Sequence, residues 1–323
     1  MYQVGIVGCG VVGNRFADAV AGHDRLSLAA ACDLDADRAE ALAASHGAAV
    51  TTDHESLVAR DDVDVVYVGV PPLGHRAVVA DALAAGNHVV CEKPIAEDAA
   101  TGREMVALAG DADAVAAVNL PFRYTPGFVE LRERVERGAV GDPRRVELSF
   151  RFPRWPREWQ DVAWLESREQ GGPLREVGTH FLFGTQELFG PIETVNADVG
   201  YAGAESYETD AVGHFVAGGV RGTLDLLTDH DGPERNVVTV VGDEGSLSLT
   251  EWHRLVRNRG REDETVLVDE PGDTVDALLT ELVAELDGGD GDLVTFAEAT
   301  RVQAALDAIH RSDGERVAVD HRN

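Results

Sequence analysis

The feature that most constrains this chain is its first two dozen residues. Tyr2–Val7 is an apolar run with the pattern of a strand, and helical spacing sets in from Val11. Between them lies Gly8-Cys9-Gly10-Val11-Val12-Gly13, a GxGxxG turn. Strand, glycine turn and helix in that order admit few folds. Gly8 permits the tight turn, Gly10 leaves room for a phosphate to approach the backbone, and Gly13 allows helix and strand to pack closely. Backbone amides at the helix start, Val11 and Val12 included, then present a positive end to an anion. Such a site needs an acid about 20 residues on, for ribose hydroxyls. Asp33 stands there, at the end of a second apolar run, Leu26–Cys32.

The same alternation continues. A helix over 35–45 is stopped by Gly47, as glycine stops helices. Residues 63–70 are nearly all apolar, the pattern of a strand buried on both faces, and Pro71-Pro72 ends it. A helix over 75–85, a strand over 88–91, a helix to Gly110 and a strand over 114–118 complete the run. This predicts an α/β Rossmann domain, a doubly wound parallel sheet, over residues 1–120. Open sheets of this kind bind ligands at the carboxyl ends of their strands. Val70-Pro71-Pro72 and Glu92-Lys93-Pro94 therefore border the expected dinucleotide, and we count His75 with them. The Asp33 carboxylate repels a 2′-phosphate and favours NAD; Arg38 is near enough to soften that, so NADP stays open.

After residue 120 the pattern changes. A helix over 126–137 and a strand over 145–152 lead to an arginine- and tryptophan-rich loop. A helix over 174–189 follows. Strand-like runs over 195–268 are joined by glycine turns, clearest at Ala217-Gly218-Gly219-Val220 and Gly242-Asp243-Glu244-Gly245. Helices over 275–286 and 296–312 end the chain. We expect an α+β domain over 121–323 with a large, mostly antiparallel open sheet, serving substrate binding and oligomerisation. Asp287 to Asp292 lacks the spacing and closing Glu of a calcium loop, so no metal site is expected.

Composition narrows the partners. The 28 basic and 58 acidic residues give a formal charge of −30, which repels nucleic acid and anionic membranes. Arginine has almost wholly replaced lysine, the composition of a protein adapted to high salt, where screening is short-ranged. Cys9, Cys32 and Cys91 show no pairing pattern, and no apolar run approaches a ~20-residue membrane span. The first strand begins at once, without a basic leader. A cytoplasmic location is the expectation.

Lys93 is the only lysine among 323 residues. It falls at a strand end beside the expected nucleotide. Moving a hydride off an alcohol carbon requires a group that takes a proton, and arginine does not give one up. A lysine retained here alone points to an acid/base. The second candidate element is Gly171 to His180, in which Glu176 and His180 are i and i+4 and share a helix face. A carboxylate beside an imidazole orients it and suits a proton relay.

With these segments the chain resembles the Gfo/Idh/MocA oxidoreductases, which include glucose–fructose oxidoreductase and inositol dehydrogenase. The resemblance rests on the N-terminal GxGxxG, on Glu92-Lys93-Pro94, on Asn119-Leu120-Pro121-Phe122-Arg123-Tyr124, on Gly171 to His180 and on Ser312 to Val317. It covers nearly the whole length. It implies a Rossmann domain followed by a domain with a large open sheet, often used for oligomer contacts. It implies catalytic roles for Lys93 and His180. Glu176 stands where the family usually has Asp. It adds Glu92 and Asn119 to the cofactor set, and Arg123 and Tyr124 to the substrate side.

From Arg144 to Arg175 seven arginines face five acids, net +2 in a −30 chain. Arg151, Arg154 and Arg157 could grip an anionic substrate, or simply pair with acids on a sheet face. Trp155, Trp159 and Trp164 could pack on sugar rings or in a core. The activity so implied is an NAD(P)-dependent dehydrogenase of a sugar, sugar acid or polyol. The alternatives are a cofactor-binding sensor without chemistry, and a hydrolase or lyase that recycles NAD internally.

Overall fold

The computed structural model describes residues 1–160, 162–260 and 264–322. Its first elements are β1 (Tyr2–Val7), α1 (Val11–Gly22), β2 (Leu26–Cys32), α2 (Ala36–His46), β3 (Ala49–Thr51), α3 (His54–Val58), β4 (Val65–Val68), α4 (Pro72–Ala84), β5 (His88–Glu92), α5 (Ala99–Asp111) and β6 (Ala116–Asn119). There follow α6 (Pro126–Glu136), β7 (Pro143–Phe152), α7 (Thr179–Phe189), β8 (Ile192–Tyr201), β9 (Glu208–Ala217), β10 (Val220–Thr228), β11 (Arg235–Gly242), β12 (Ser246–Thr250), β13 (Arg254–Asn258) and β14 (Thr265–Val268). The chain closes with α8 (Thr274–Leu286), α9 (Phe296–Ser312) and β15 (Arg316–Ala318).

Two compact units form: residues 1–120 with 274–300, and 121–273 with 301–323, the latter taken over its described residues. The first holds a six-stranded sheet in the order β3-β2-β1-β4-β5-β6, with every pairing parallel. The strand order reverses between β1 and β4, so a crevice opens at their carboxyl ends, where such sheets take ligands. The strands are apolar because helices cover both faces; all four residues of β4 are buried. Local chemistry fixes the helix ends. Asp35 caps α2 by accepting from the amides of Asp37 and Arg38, and Gly47 ends it at φ +71°. Pro72 opens α4 three residues before the expected start, because proline at the first helical turn gives up no hydrogen bond.

The unit boundary differs from the expectation in one respect. Helix α8, read from sequence as part of the second domain, packs on α1. The Tyr2 hydroxyl donates to the Leu286 carbonyl at 2.9 Å, and Arg25 pairs with Asp287 at 2.9 Å. Nothing in the local pattern of an amphipathic helix says which core will take its apolar face.

The second unit holds a nine-stranded sheet in the order β14-β13-β12-β11-β7-β10-β9-β8-β15. All neighbours are antiparallel except β7 and β10. Gly218 and Gly219, at φ +52° and +79°, form the two-residue turn between β9 and β10, a conformation open to glycine. Alternation sorts the faces. Val146, Leu148, Phe150, Phe215, Leu224 and Leu226 point inward, where Phe150 meets Phe181 of α7 edge-on at 5.0 Å. The expected helix over 174–189 is in fact two pieces: a π-type turn, Leu174–Gly178, and then α7. Among the described residues no helix is long and apolar enough to cross a membrane.

Candidate active site

In the first unit the glycine turn is built as its spacing requires. Gly8 has φ +100°, and a Cβ on it would lie 2.5 Å from the backbone of Gly69. A Cβ on Gly13 would lie 2.0 Å from the Gly8 carbonyl oxygen. Gly10, by contrast, faces open space, with nothing within 4 Å of its would-be Cβ. It is the N-cap of α1 and offers no side-chain cap, so the first-turn amides are left for a ligand. Val11 and Val12 stand 52% and 41% exposed at this end, apolar surface that a bound dinucleotide would cover.

Asp33 ties the turn to β2. Its Oδ2 accepts from the Cys9 amide at 2.8 Å and its Oδ1 from the Asp35 amide at 2.9 Å. Arg38 is half exposed, and its Nε lies 3.5 Å from Asp35 Oδ2. Leu34, 93% exposed, projects beside Asp33. Val70, Pro71 and Pro72 form the turn from β4 into α4, one strand away from the glycine turn. His75 does not belong to the contact surface, contrary to the expectation. It is fully buried, with Nε2 2.8 Å from the Val70 carbonyl and Nδ1 3.2 Å from the Ile95 carbonyl. It braces the two loops that border the crevice, and burial lowers its pKa.

Lys93 follows β5 directly and is part-buried, with a cis bond to Pro94. Behind it Glu92 is buried, and its carboxylate is fully engaged. Oε1 accepts from the Tyr67 hydroxyl at 2.7 Å and from Asn119 Nδ2 at 2.5 Å; Oε2 accepts from the Lys93 amide at 3.2 Å. Burial raises the Glu92 pKa, while the Lys93 charge and these donors pull it back. Glu92 is thus held as a fixed partner of Lys93. Asn119, 4% exposed, keeps its Oδ1 buried without a hydrogen bond. A buried amide oxygen at a strand's carboxyl end is an acceptor in search of a donor. The open ground at Gly10, the uncapped α1 terminus and this oxygen fit a nicotinamide dinucleotide. Tyr67 was missed by the sequence reading, yet a lone hydroxyl in an otherwise apolar buried strand requires a partner.

In the second unit Glu176 sits in the π-type turn and His180 in the first turn of α7. Glu176 Oε1 accepts from Gln160 Nε2 at 3.2 Å, and Gln160 in turn is 3.2 Å from the Arg157 amide. The His180 ring is 6% exposed and meets Trp252 edge-on at 5.4 Å. Gln160 and Trp252 carry no sequence signal; tertiary packing brings them in. π-type turns recur at functional sites because they redirect side chains out of α register.

The substrate-side residues divide. Arg123 is buried, pairs with Glu187 at 3.1 Å and lies over Phe183. That makes it a structural ion pair rather than a substrate contact. Its neighbour Tyr124 is part-exposed at the end of the turn Pro121–Tyr124. Trp155 is core, with Nε1 donating to the Leu165 carbonyl at 3.2 Å and its ring against Phe152. Arg151 pairs with Asp225 on the outward sheet face. Arg157 is 11% exposed, lies 3.3 Å from Glu234 and is ringed by Phe152, Trp155, Trp159 and Trp252. Arg154 and Trp159 stay exposed. Among the described residues no group of His, Cys, Asp and Glu could hold a metal ion.

Comparison with known proteins agrees with this architecture. Residues 2–120 match the oxidoreductase family with an NAD-binding Rossmann fold, GFO/IDH/MocA, and residues 128–248 match that family's C-terminal domain. The dTDP-3,4-didehydro-2,6-dideoxy-alpha-D-glucose 3-reductase of Streptomyces violaceoruber is 31% identical over 179 residues, 55% of this chain and about half of the relative, 52%. The enzyme of the same name from Streptomyces antibioticus is 27% identical over 314 residues, 93% of each chain. A solved levoglucosan dehydrogenase, in complex with NADH and L-sorbose, superposes with a TM-score of 0.88 over 99% of both chains at 20% identity. The chain belongs to the Gfo/Idh/MocA oxidoreductase family.

Proposed function

We propose that this member of the Gfo/Idh/MocA family is an NAD-dependent dehydrogenase of a sugar, sugar acid or polyol hydroxyl. The observation that carries the reading is the placement of the chain's one lysine. Lys93 stands at the carboxyl end of an interior strand, on the same edge of the sheet as the glycine turn, and is backed by a buried carboxylate. When bound, the nicotinamide supplies the hydride acceptor. The protein's part is to bind, orient and move a proton. Lys93 Nζ exchanges the proton of the substrate hydroxyl and holds positive charge beside the oxygen. Glu92, fixed by Tyr67 and Asn119, keeps Lys93 in place. His180 serves as the second acid/base, and Glu176, held by Gln160, supports it. The Asp33 carboxylate favours NAD over NADP, and Arg38 is drawn toward Asp35.

Substrate charge comes down to Arg154, the exposed arginine of the three considered. The curated relatives named above carry a dTDP-sugar in their names, in keeping with an anionic substrate. Arg154→Ala should then lower kcat/KM for the best substrate; an unchanged value excludes an anionic contact there. A second copy of the chain would cover the outward sheet face. Val212 is 60% exposed there, and a hollow of about 570 Å³ is lined by Arg145, Arg221 and Arg316. We place the protein in the cytoplasm, where its three buried thiols would stay reduced.

The test is a coenzyme-reduction screen over sugars, sugar acids and polyols in high salt, with NAD and NADP side by side. The reading expects NADH to accumulate with at least one of them. Tight NADH binding with no reduction of either coenzyme by any of them would rule out the dehydrogenase.

A further inference from the structure

Beneath the glycine-led turn of the second unit lies a polar cluster that the chemistry above does not use. Glu208, the first residue of β9, is fully buried. Gly172, at φ +92°, rests directly on it: a Cβ there would lie 2.1 Å from Glu208 Oε2. The carboxylate thus fills the space a side chain at 172 would take. Arg175, 8% exposed, donates Nη1 to the carbonyls of Arg168 at 2.8 Å and Gly171 at 3.4 Å. These bonds tie the π-type turn to the loop before it. From α9, His310 places Nε2 3.2 Å from Glu208 Oε1, and its Nδ1 is 3.1 Å from the Tyr201 hydroxyl. Arg168 lies 3.7 Å over the Tyr201 ring.

The Arg175 and Arg168 charges favour an ionised Glu208, but burial outweighs them. His310 brings no charge to Glu208, since burial, Arg175 and Arg168 push it down to about 3 and keep it neutral. We propose that Glu208 is a positioning residue: by filling the space under Gly172, it sets the turn that presents Glu176 and His180. The inference rests on those two residues serving the reaction proposed above.

Its ionisation has a consequence. Burial pushes Glu208 up to about 7, with Arg175 the chief opposing influence. The titratable and charged groups facing it are Arg175, Arg168, His310 and Tyr201. Because burial raises the Glu208 pKa above that of an exposed carboxyl, the closed turn favours the neutral acid; as pH rises through about 7 the carboxylate must charge in a buried place, and the turn over it loosens. Glu208→Gln is nearly isosteric and permanently neutral, so it mimics the low-pH form at every pH.

The test is amide hydrogen exchange over residues 171–180 in the full chain, corrected for intrinsic rates, alongside kcat and KM. In wild type, exchange over 171–180 should quicken roughly tenfold between about pH 6 and about pH 8.5, while residues 4–20 of the first unit show no such step. Glu208→Gln should match wild type at the lower pH and exchange about tenfold slower at the higher one. The wild-type to variant ratio of kcat should fall from about 1 to about 0.1 over the same range, with NADH affinity unchanged. Gly172→Ala should speed exchange in wild type and add less in a Glu208→Ala background, where the methyl has room. Exchange over 171–180 in wild type that is flat with pH, or a kcat ratio that is flat, overturns the proposal. The exchange arm needs no turnover. A wild type that oxidises no polyol therefore counts against the dehydrogenase alone and leaves the Glu208 result standing.

Discussion

Gly10 and Gly13 sit three residues apart in one turn, yet they should fail differently when replaced. A Cβ on Gly13 would lie 2.0 Å from the Gly8 carbonyl oxygen, against an ordinary contact of 3.4 Å or more, so about 1.4 Å must be found. Both partners are backbone, and no side chain can swing away. Either α1 lifts off β1 or the strand end deforms, an overpacking that costs about 1–3 kcal/mol. For a chain of this size that lowers Tm by roughly 2–5 °C. Gly10 has φ −74° and ψ −167°, which any residue adopts, and open space around it. Gly10→Ala should cost no more than about 1 kcal/mol, the difference between glycine and alanine at an N-cap. Its methyl would nonetheless stand where a pyrophosphate must approach the backbone, and NADH affinity should fall at least ~10-fold. Thermal unfolding and NADH fluorescence titration separate the two effects. Gly13→Ala should lose both stability and affinity, Gly10→Ala affinity alone. Wild-type NADH affinity in Gly10→Ala would falsify the cradle assigned to this turn.

Asp33→Asn presents an amide donor to one of the two backbone amides that Asp33 now accepts, and removes the charge that disfavours a 2′-phosphate. The NAD dissociation constant should rise about 10-fold or more and the preference over NADP should shrink; unaltered affinities for both coenzymes would count against the ribose role. At −30 the chain repels itself, and raising NaCl from about 0.1 M to about 2 M shortens the screening length to a few ångströms. Tm should climb by more than about 5 °C, and a flat or falling Tm would show that self-repulsion does not limit stability.

What was legible in the sequence follows from how local each cause is. β1, β2 and α9 are set by runs of apolar spacing and by turn residues beside them, and they appear where those signals put them. The Gly218-Gly219 hairpin was readable because two consecutive positive φ values leave glycine as the ready choice. The three-residue β3 and the five-residue α3 carry too few residues for a period to show. The affiliation of α8 was not readable, because its apolar face suits either core. At the site, the glycines, Asp33, Glu92 and Lys93 announced themselves through motif and scarcity. His75, Arg123 and Trp155 looked functional by chemistry and are structural by burial, a distinction settled only by what packs around them. Gln160, Trp252 and Glu208 reach the turn carrying Glu176 and His180 from distant segments, so no spacing could have named them.

The central claim is that Lys93 is the group that moves the substrate's proton. Lys93→Arg keeps the charge and nearly the length while removing the capacity to give up a proton at neutral pH. Steady-state turnover of the best substrate, measured beside NADH binding, tests this directly. The account predicts NADH affinity within about twofold of wild type and turnover lower by about 10²–10⁴-fold. Turnover that stays at the wild-type level in the arginine variant would contradict it.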